Sequence, residues 1–71
     1  MLNPFARDRE GNTPLHYVAQ FDLVEVAQWL IENGSRIGVC NHNKETPLDI
    51  ATQKRRMNMV RYLQKEYTRN Y

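Results

Sequence analysis

The sequence predicts an all-α repeat protein, built from two successive copies of a helix–turn–helix unit. The tripeptide Thr-Pro-Leu occurs at residues 13–15 and again at residues 46–48, so the second copy follows the first by 33 residues. The register between the copies holds without a gap, and a period of this length is typical of a solenoid. Apolar residues recur at helical spacing, and no long β-branched run is present, which disfavours strands.

The first helix of each copy is predicted to begin at its Thr-Pro pair. Thr13 and Thr46 are typical N-cap residues, because their hydroxyls can accept a hydrogen bond from a free backbone N–H group. Pro14 and Pro47 then occupy the first helical position, where the missing N–H is harmless and the fixed φ favours a helix. The first of these helices is expected to end near Phe21.

The second helix of the first copy is predicted to begin at Asp22. Glu25 follows three residues later, which is the spacing of a capping box. Gly34 should end the helix in a left-handed conformation. The apolar stripe of this helix consists of Val26, Ala27, Leu30 and Ile31. Four larger side chains on the helical stripes of the two copies are also predicted to be packing residues: Trp29, Met57, Met59 and Tyr62.

The repeat divides the chain into three parts. Residues 1–7 align with the end of a repeat, residues 8–40 form the first complete repeat, and residues 41–71 form the second. Residues 35–45 connect the copies as an extended, turn-rich segment. Met1 aligns with Gly34, and this alignment predicts either an excerpt from a longer array or a very short natural protein.

The second copy departs from the first at its turns and on its outer side. Arg55 stands in place of Asp22, and because Arg tolerates a positive φ poorly, this turn is expected to be looser or differently shaped. Lys44 stands in place of Gly11, which leaves the shape of the turn before Thr46 open. Two further changes make the copy more polar, as a terminal repeat must be for solubility: Thr52 for Ala19 and Gln64 for Ile31. Asp49 stands in place of His16, either because no repeat follows it or through ordinary sequence drift. The second copy is therefore predicted to be a carboxyl-terminal cap.

The pattern resembles the ankyrin repeat family over nearly the whole chain. The matching residues of the first copy are Asp8, Gly11, Thr13, Pro14, Leu15, His16, Val18, Ala19, Val26, Ala27, Trp29, Leu30, Ile31 and Gly34. Those of the second are Asn41, Thr46, Pro47, Leu48, Asp49, Ala51, Met59, Val60 and Leu63. The resemblance implies a helix-turn-helix solenoid with hairpin-like connecting loops. It also implies that His16 ties its own repeat to the next one through hydrogen bonds.

The resemblance further implies a non-catalytic protein-interaction module, which presents its hairpin tips and first-helix faces to a protein partner. Transferred by position, the candidate contacts of the first copy are Arg7, Arg9, Glu10, Asn12, Gln20 and Phe21. Those of the second are Cys40, His42, Asn43, Glu45, Gln53 and Lys54. Phe21 is the most informative of them, because aromatic residues concentrate binding energy when they fill a partner's pocket.

The composition argues against a catalytic, metal or cofactor site. The chain has 71 residues and a net charge of +2, with one cysteine and two histidines. Cys40 therefore has no disulfide partner, and His16 and His42 lack the cysteines of a zinc site. No phosphate-binding loop, nucleophile–base pair or apolar run of membrane-spanning length is present, so neither an enzyme nor a cofactor is expected. A single thiol favours a reducing compartment, the cytoplasm or the nucleus.

Two other roles stay open. The chain could be a purely structural carboxyl-terminal segment of a larger protein whose active site lies elsewhere. Its second half also carries a basic cluster, which could attract nucleic acid or an anionic surface without sequence preference: Lys54, Arg55, Arg56, Arg61, Lys65 and Arg69. Two repeats are fewer than the three or so needed for stability. We therefore expect either self-association through the uncapped amino-terminal face, around Val18, Val26 and Leu30, or stabilisation by a longer parent chain.

Overall fold

The computed structural model describes residue 3 and residues 5–69. Met1, Leu2 and Pro4 of the predicted 1–7 tail, and Asn70 and Tyr71 of the predicted second repeat, lie outside the described residues. The described chain forms four helices and no strand, which confirms the all-α prediction. They are α1 (Pro14–Gln20), α2 (Val24–Glu32), α3 (Pro47–Gln53) and α4 (Met57–Arg69).

The two helix pairs lie side by side. Helix α1 packs on α3 and α2 packs on α4, while each first helix also contacts the second helix of its own repeat. The buried core runs through both repeats: Leu15, Val18, Ala19, Ala27, Leu30, Ala51, Met59 and Leu63. The predicted α2 stripe is confirmed, since Ala27 and Leu30 are buried and Val26 and Ile31 pack against the core.

The predicted starts of α1 and α3 are confirmed. Pro14 and Pro47 occupy the first helical turn, and Thr13 and Thr46 precede them in extended conformation. The Thr46 hydroxyl accepts a hydrogen bond from the Asp49 amide at 3.1 Å. The Thr13 hydroxyl instead lies 2.9 Å from Nδ1 of His16.

The end of α2 is a Schellman motif, as the glycine predicts. Gly34 has a φ of +104°. Its N–H donates to the Ile31 carbonyl at 3.1 Å, and the Ser35 N–H donates to the Leu30 carbonyl at 2.9 Å. These two bonds satisfy carbonyls that the helix end would otherwise leave unpaired.

The prediction that the Arg55 turn is looser than its counterpart is wrong. Asp22 and Arg55 have φ values of +59° and +58°. The Leu23 amide donates to the Val18 carbonyl at 3.2 Å, and in the second repeat the Arg56 amide donates to the Ala51 carbonyl at 2.9 Å. The same hydrogen bonds close both turns, so packing of the helix pair forces Arg55 into a conformation that its side chain disfavours.

The turns that precede α1 and α3 also have the same shape. Gly11 has a φ of +81° and Lys44 a φ of +63°. The Gly11 amide donates to the Asp8 carbonyl and the Lys44 amide donates to the Asn41 carbonyl, each at 3.0 Å. The main chain at Lys44 therefore follows the same path as the main chain at Gly11.

The predicted capping box at Asp22 and Glu25 is wrong. Helix α2 has Leu23 at its N-cap, and no side chain caps it. The Asp22 carboxylate instead accepts a hydrogen bond from the Met59 amide at 3.0 Å, in the first turn of α4. A negative charge is favourable at a helix amino terminus, so Asp22 stabilises the neighbouring repeat.

Burial differs from the prediction at several large apolar residues. Met59 is buried and Tyr62 half-buried, but Trp29 is 45% and Met57 59% exposed, so the packing role predicted for Trp29 and Met57 is wrong. Val18 and Leu30, expected near an uncovered surface, are themselves buried in the core. Tyr17, Phe21 and Leu23 are the exposed apolar residues nearby.

The left-handed conformation at Arg55 predicts that Arg55→Gly stabilises the protein. A positive φ costs a non-glycine residue roughly 1 kcal/mol or more, and glycine removes this cost. The greater entropy of glycine in the unfolded chain offsets part of the resulting stabilisation. Urea denaturation should show an increase of about 0.5–1 kcal/mol in the free energy of unfolding. An unchanged or lower value would show that the Arg55 side chain stabilises the fold.

Candidate protein-binding groove

A groove of about 250 Å³ lies between the two repeats. Its walls are the inner faces of α1 and α3 and the loops that precede these helices. The lining residues are Glu10, Asn12, His16, Tyr17, Gln20, Asn41, Asn43, Glu45, Ile50, Gln53 and Lys54. Most of these side chains are polar, so the groove is suited to hydrogen bonding rather than to an apolar ligand.

His16 fixes the floor of the groove. Its Nε2–H donates to the main-chain carbonyl of Glu45 at 2.8 Å, which joins the two repeats. Its Nδ1 accepts a hydrogen bond from the Thr13 amide at 3.0 Å. Burial lowers the pKa of His16 below its ordinary value, so the ring is neutral. The predicted role of this histidine as a link between repeats is confirmed.

Asp49, at the matching position of the second repeat, performs half of this role. One of its carboxylate oxygens accepts a hydrogen bond from the Thr46 amide at 3.0 Å. This bond matches the one between Thr13 and His16, but an aspartate has no N–H group to donate onward. Asp49 therefore caps α3 without reaching toward a further repeat.

A network of amides holds the Glu45 side chain. Asn41 Nδ2 donates to Oδ1 of Asn12 at 2.8 Å and to Oε1 of Glu45 at 2.9 Å. Gln53 Nε2 donates to Oε2 of Glu45 at 2.9 Å. The bonds from Asn41 and then Gln53 lower the pKa of Glu45, which keeps it ionised. These side chains form a fixed wall that spans both repeats.

Several other side chains that line the groove are not held by hydrogen bonds of this network. Within the part of the chain that the structure describes, four polar groove residues make no side-chain hydrogen bond or ion pair. They are Glu10, Gln20, Asn43 and Lys54. These four side chains line the same groove as the fixed wall, and no hydrogen bond of the fold occupies them.

The groove brings together seven of the residues predicted as contacts: Glu10, Asn12, Gln20, Asn43, Glu45, Gln53 and Lys54. The others lie elsewhere. Phe21 is 59% exposed just beyond the end of α1, and Arg7 and Arg9 are exposed in the amino-terminal loop. The His42 amide donates to the Glu10 carbonyl at 2.8 Å. Cys40 is exposed on the loop that connects the repeats.

Four groove residues were not predicted as contacts: His16, Tyr17, Asn41 and Ile50. Tyr17 and Ile50 lie one helical turn before Gln20 and Gln53, so helical spacing could have identified them. The Tyr17 hydroxyl donates to the Asp8 carboxylate. Asn41 is buried, and no sequence pattern predicts that its side chain bonds to residues of both repeats.

The basic cluster lies outside the fixed wall of the groove. Its side chains at Lys54, Arg55, Arg56, Arg61 and Lys65 are exposed, whereas the side chain of Arg69 lies outside the described part. Arg56 Nε donates to the Gln20 carbonyl at 2.8 Å, so one member of the cluster joins the repeats. No helix among the described residues combines the length and hydrophobicity that crossing a membrane requires.

Comparisons with known proteins agree with this architecture. A family model for ankyrin repeats (3 copies) matches residues 1–71. An IkB-like protein of African swine fever virus (isolate Warthog/Namibia/Wart80/1980) is 35% identical, and the alignment covers 100% of this chain and 35% of the relative. A putative ankyrin repeat protein of Rickettsia bellii is 37% identical over 83% of this chain and 35% of its own length. The chain thus spans about a third of each of these curated relatives.

The buried His16 ring predicts a pH-dependent stability. Because the unfolded chain binds this proton at its ordinary pKa of about 6.5 and the folded chain binds it only at lower pH, the free energy of unfolding should fall as the pH drops below that value. Replacement by a residue that does not titrate, His16→Asn, should remove this contribution. The check is urea denaturation at pH 7 and pH 5.

His16→Asn should also lower stability at pH 7 by about 1–3 kcal/mol, because asparagine is too short to reach the Glu45 carbonyl. Asp49→His provides the matched control, since the described chain places no carbonyl beyond it; its effect should stay within about 0.5 kcal/mol. Equal losses in the two variants, or an unchanged pH slope in His16→Asn, would contradict the role given to His16.

Proposed function

The chain belongs to the ankyrin repeat family, whose repeats are generally protein-interaction modules, and we propose that it binds a protein partner in the groove between its repeats. No chemical step is part of this proposal. The partner contacts are the four uncommitted side chains Glu10, Gln20, Asn43 and Lys54, which extend around the fixed wall of the groove.

The division between fixed and free side chains is the observation that supports this proposal. The wall residues Asn12, Asn41, Glu45 and Gln53 bond to one another across the repeats. Rigid groups of this kind lose little conformational entropy when a partner binds. The free side chains can then form hydrogen bonds with the partner without breaking any bond of the fold.

The size and polarity of the groove support a protein rather than a small molecule. Pockets for small ligands usually enclose about 300–1,000 Å³ and are mostly apolar, whereas this groove encloses about 250 Å³ and is lined mainly by amides and charged groups. Glu10 and Lys54 provide opposite charges, and Gln20 and Asn43 can each donate and accept. Such a surface fits a polar loop whose main-chain amides and charged side chains enter the groove.

Site-specific photo-crosslinking in cells tests the position of the binding surface. A photoreactive amino acid at Gln20 or Asn43 should form an adduct with a partner protein, because both side chains face the groove. The same amino acid at Arg61 or Lys65, on the exposed surface of α4, is the matched control. Adducts confined to the α4 positions would favour the basic cluster as the binding surface, and the absence of adducts at all four would favour a structural role.

Once a partner is captured, its affinity measures the contribution of each group. Gln20→Ala and Lys54→Ala should each weaken binding by about threefold to tenfold, a loss typical of one hydrogen bond, without changing stability. Gln53→Ala should lower both affinity and stability, because it frees one oxygen of the Glu45 carboxylate. Isothermal titration calorimetry and urea denaturation on the same variants separate the two effects; unchanged affinity in the first two would place the interface elsewhere.

A further inference from the structure

Another pocket, of about 320 Å³, lies between the amino-terminal loop and the segment that connects the repeats. Its lining residues are Phe5, Arg7, Thr13, Arg36 and Val39. None of them lines the proposed partner groove, so the two surfaces are separate.

Two guanidinium groups line this pocket without a counter-charge. Arg7 and Arg36 are exposed, and their side chains form no hydrogen bond or ion pair with any described residue. Asp8 is next to Arg7 in sequence, but its carboxylate is bound elsewhere. It accepts hydrogen bonds from the Glu10 and Asn12 amides at 2.9 and 2.8 Å. Because none of the described lining residues is acidic, the pocket is electropositive.

The main chain that carries the two arginines is held by hydrogen bonds. Asn3 Oδ1 accepts from the Phe5 amide at 2.9 Å, and the Asn3 carbonyl accepts from the Ala6 amide at 3.1 Å. Arg36 directly follows Ser35, whose amide closes the Schellman motif at the end of α2. An anion that binds between the arginines therefore has to order only their side chains, which limits the entropic cost of binding.

The apolar walls of the pocket are suited to an aromatic ring. The Phe5 ring lies against Gly34, where a Cβ would be 3.0 Å from its Cζ atom, and the ring is still 64% exposed. Val39 is half-buried. Aromatic rings in offset or edge-to-face contact stabilise each other beyond the area that they bury. The volume is near the lower limit of small-ligand pockets, which is about 300 Å³, so it suits one side chain rather than a nucleotide.

We propose that this pocket binds the side chain of a phosphotyrosine on a protein partner. Arg7 and Arg36 bind the phosphate oxygens, and the phenyl ring lies against Phe5 and Val39. A phosphate monoester has a charge of about −1.5 to −2 at pH 7, which two guanidinium groups neutralise, whereas a carboxylate has a single charge. The planar guanidinium fork also matches the geometry of phosphate oxygens. The site shares no residue with the partner groove, so neither proposal depends on the other.

Titration of the full chain with phenyl phosphate, followed by NMR of the arginine Nε–H signals, tests the site. The signals of Arg7 and Arg36 should shift and saturate together, because one phosphate contacts both. Arg7→Gln and Arg36→Gln should each weaken binding by about tenfold or more, a loss typical of hydrogen bonds to a charged group. Their circular dichroism should be unchanged, since neither side chain bonds to the described fold.

Arg55→Gln and Arg61→Gln are the matched controls, because they remove the same charge from exposed positions outside the pocket. Both should bind phenyl phosphate as the unmodified chain does. Equal losses in these variants and in the pocket variants would show nonspecific attraction to positive charge. Such a result, or the absence of any shift at Arg7 and Arg36, would overturn the proposal.

A second set of ligands tests the ring and the source of the phosphate. A short peptide with one phosphotyrosine should bind about threefold to tenfold more tightly than the same peptide with phosphoserine, and Phe5→Leu should reduce this preference. The unphosphorylated tyrosine peptide should not bind. Inorganic phosphate that competes as well as phenyl phosphate would indicate a site for free phosphate. Phosphatidylcholine vesicles with phosphatidic acid that bind through Arg7 and Arg36, when the phosphotyrosine peptide does not, would indicate a lipid surface. Either result would overturn the proposal.

Discussion

The packing of α1 on α3 is the interaction on which the rest of the structure depends. Each of these helices has seven residues, and isolated helices shorter than about 12–15 residues are marginal in water. Leu15, Ala19 and Ala51 are fully buried at or near this contact. The two repeats therefore stabilise each other, and neither first helix has enough hydrogen bonds to persist without its neighbour.

The contact between α1 and α3 is mainly apolar, and His16 makes it specific. It is nearly fully buried, yet both ring nitrogens are satisfied, by the Thr13 amide and the Glu45 carbonyl. Buried polar groups are tolerated only when they are paired, so the ring fixes the register of one repeat on the next. The same bond fixes the main chain at Glu45, whose side chain belongs to the groove wall. The contact between the repeats and the wall of the groove thus share one set of hydrogen bonds.

Features that depend on neighbours in sequence could be predicted from the sequence. Pro14, Pro47 and Gly34 mark helix ends through their own backbone preferences, and the 33-residue period relates the copies. Asp22 could not be assigned correctly, because its carboxylate bonds to Met59, which is remote in sequence. Local spacing predicts the Glu25 amide as the donor to the Asp22 carboxylate, whereas in the folded chain the donor is the Met59 amide.

The candidate groove was predictable to a similar extent. Transfer of the family's contact positions onto this sequence predicted Glu10, Gln20, Asn43 and Lys54 as candidate contacts. These residues are exposed or half-exposed along the loops and first helices. The transfer could not separate them from Asn12, Glu45 and Gln53, because only the folded chain shows which amides are already paired. It also could not find Asn41, which bridges the two repeats from a buried position. Pairing within the fold, rather than residue type, separates the groups that build the groove from those free to bind.

Asp22 and Arg55 show how one backbone conformation can serve two different purposes. Both residues have nearly the same positive φ, and the same hydrogen-bonded turn encloses each of them. Asp22 directs a carboxylate to a helix amino terminus in the next repeat, where negative charge is favourable. A guanidinium in that position would repel the same terminus and could accept no hydrogen bond. The turn is therefore set by the helix pair, whereas the side chain on it determines whether the turn can accept a hydrogen bond from a neighbouring helix.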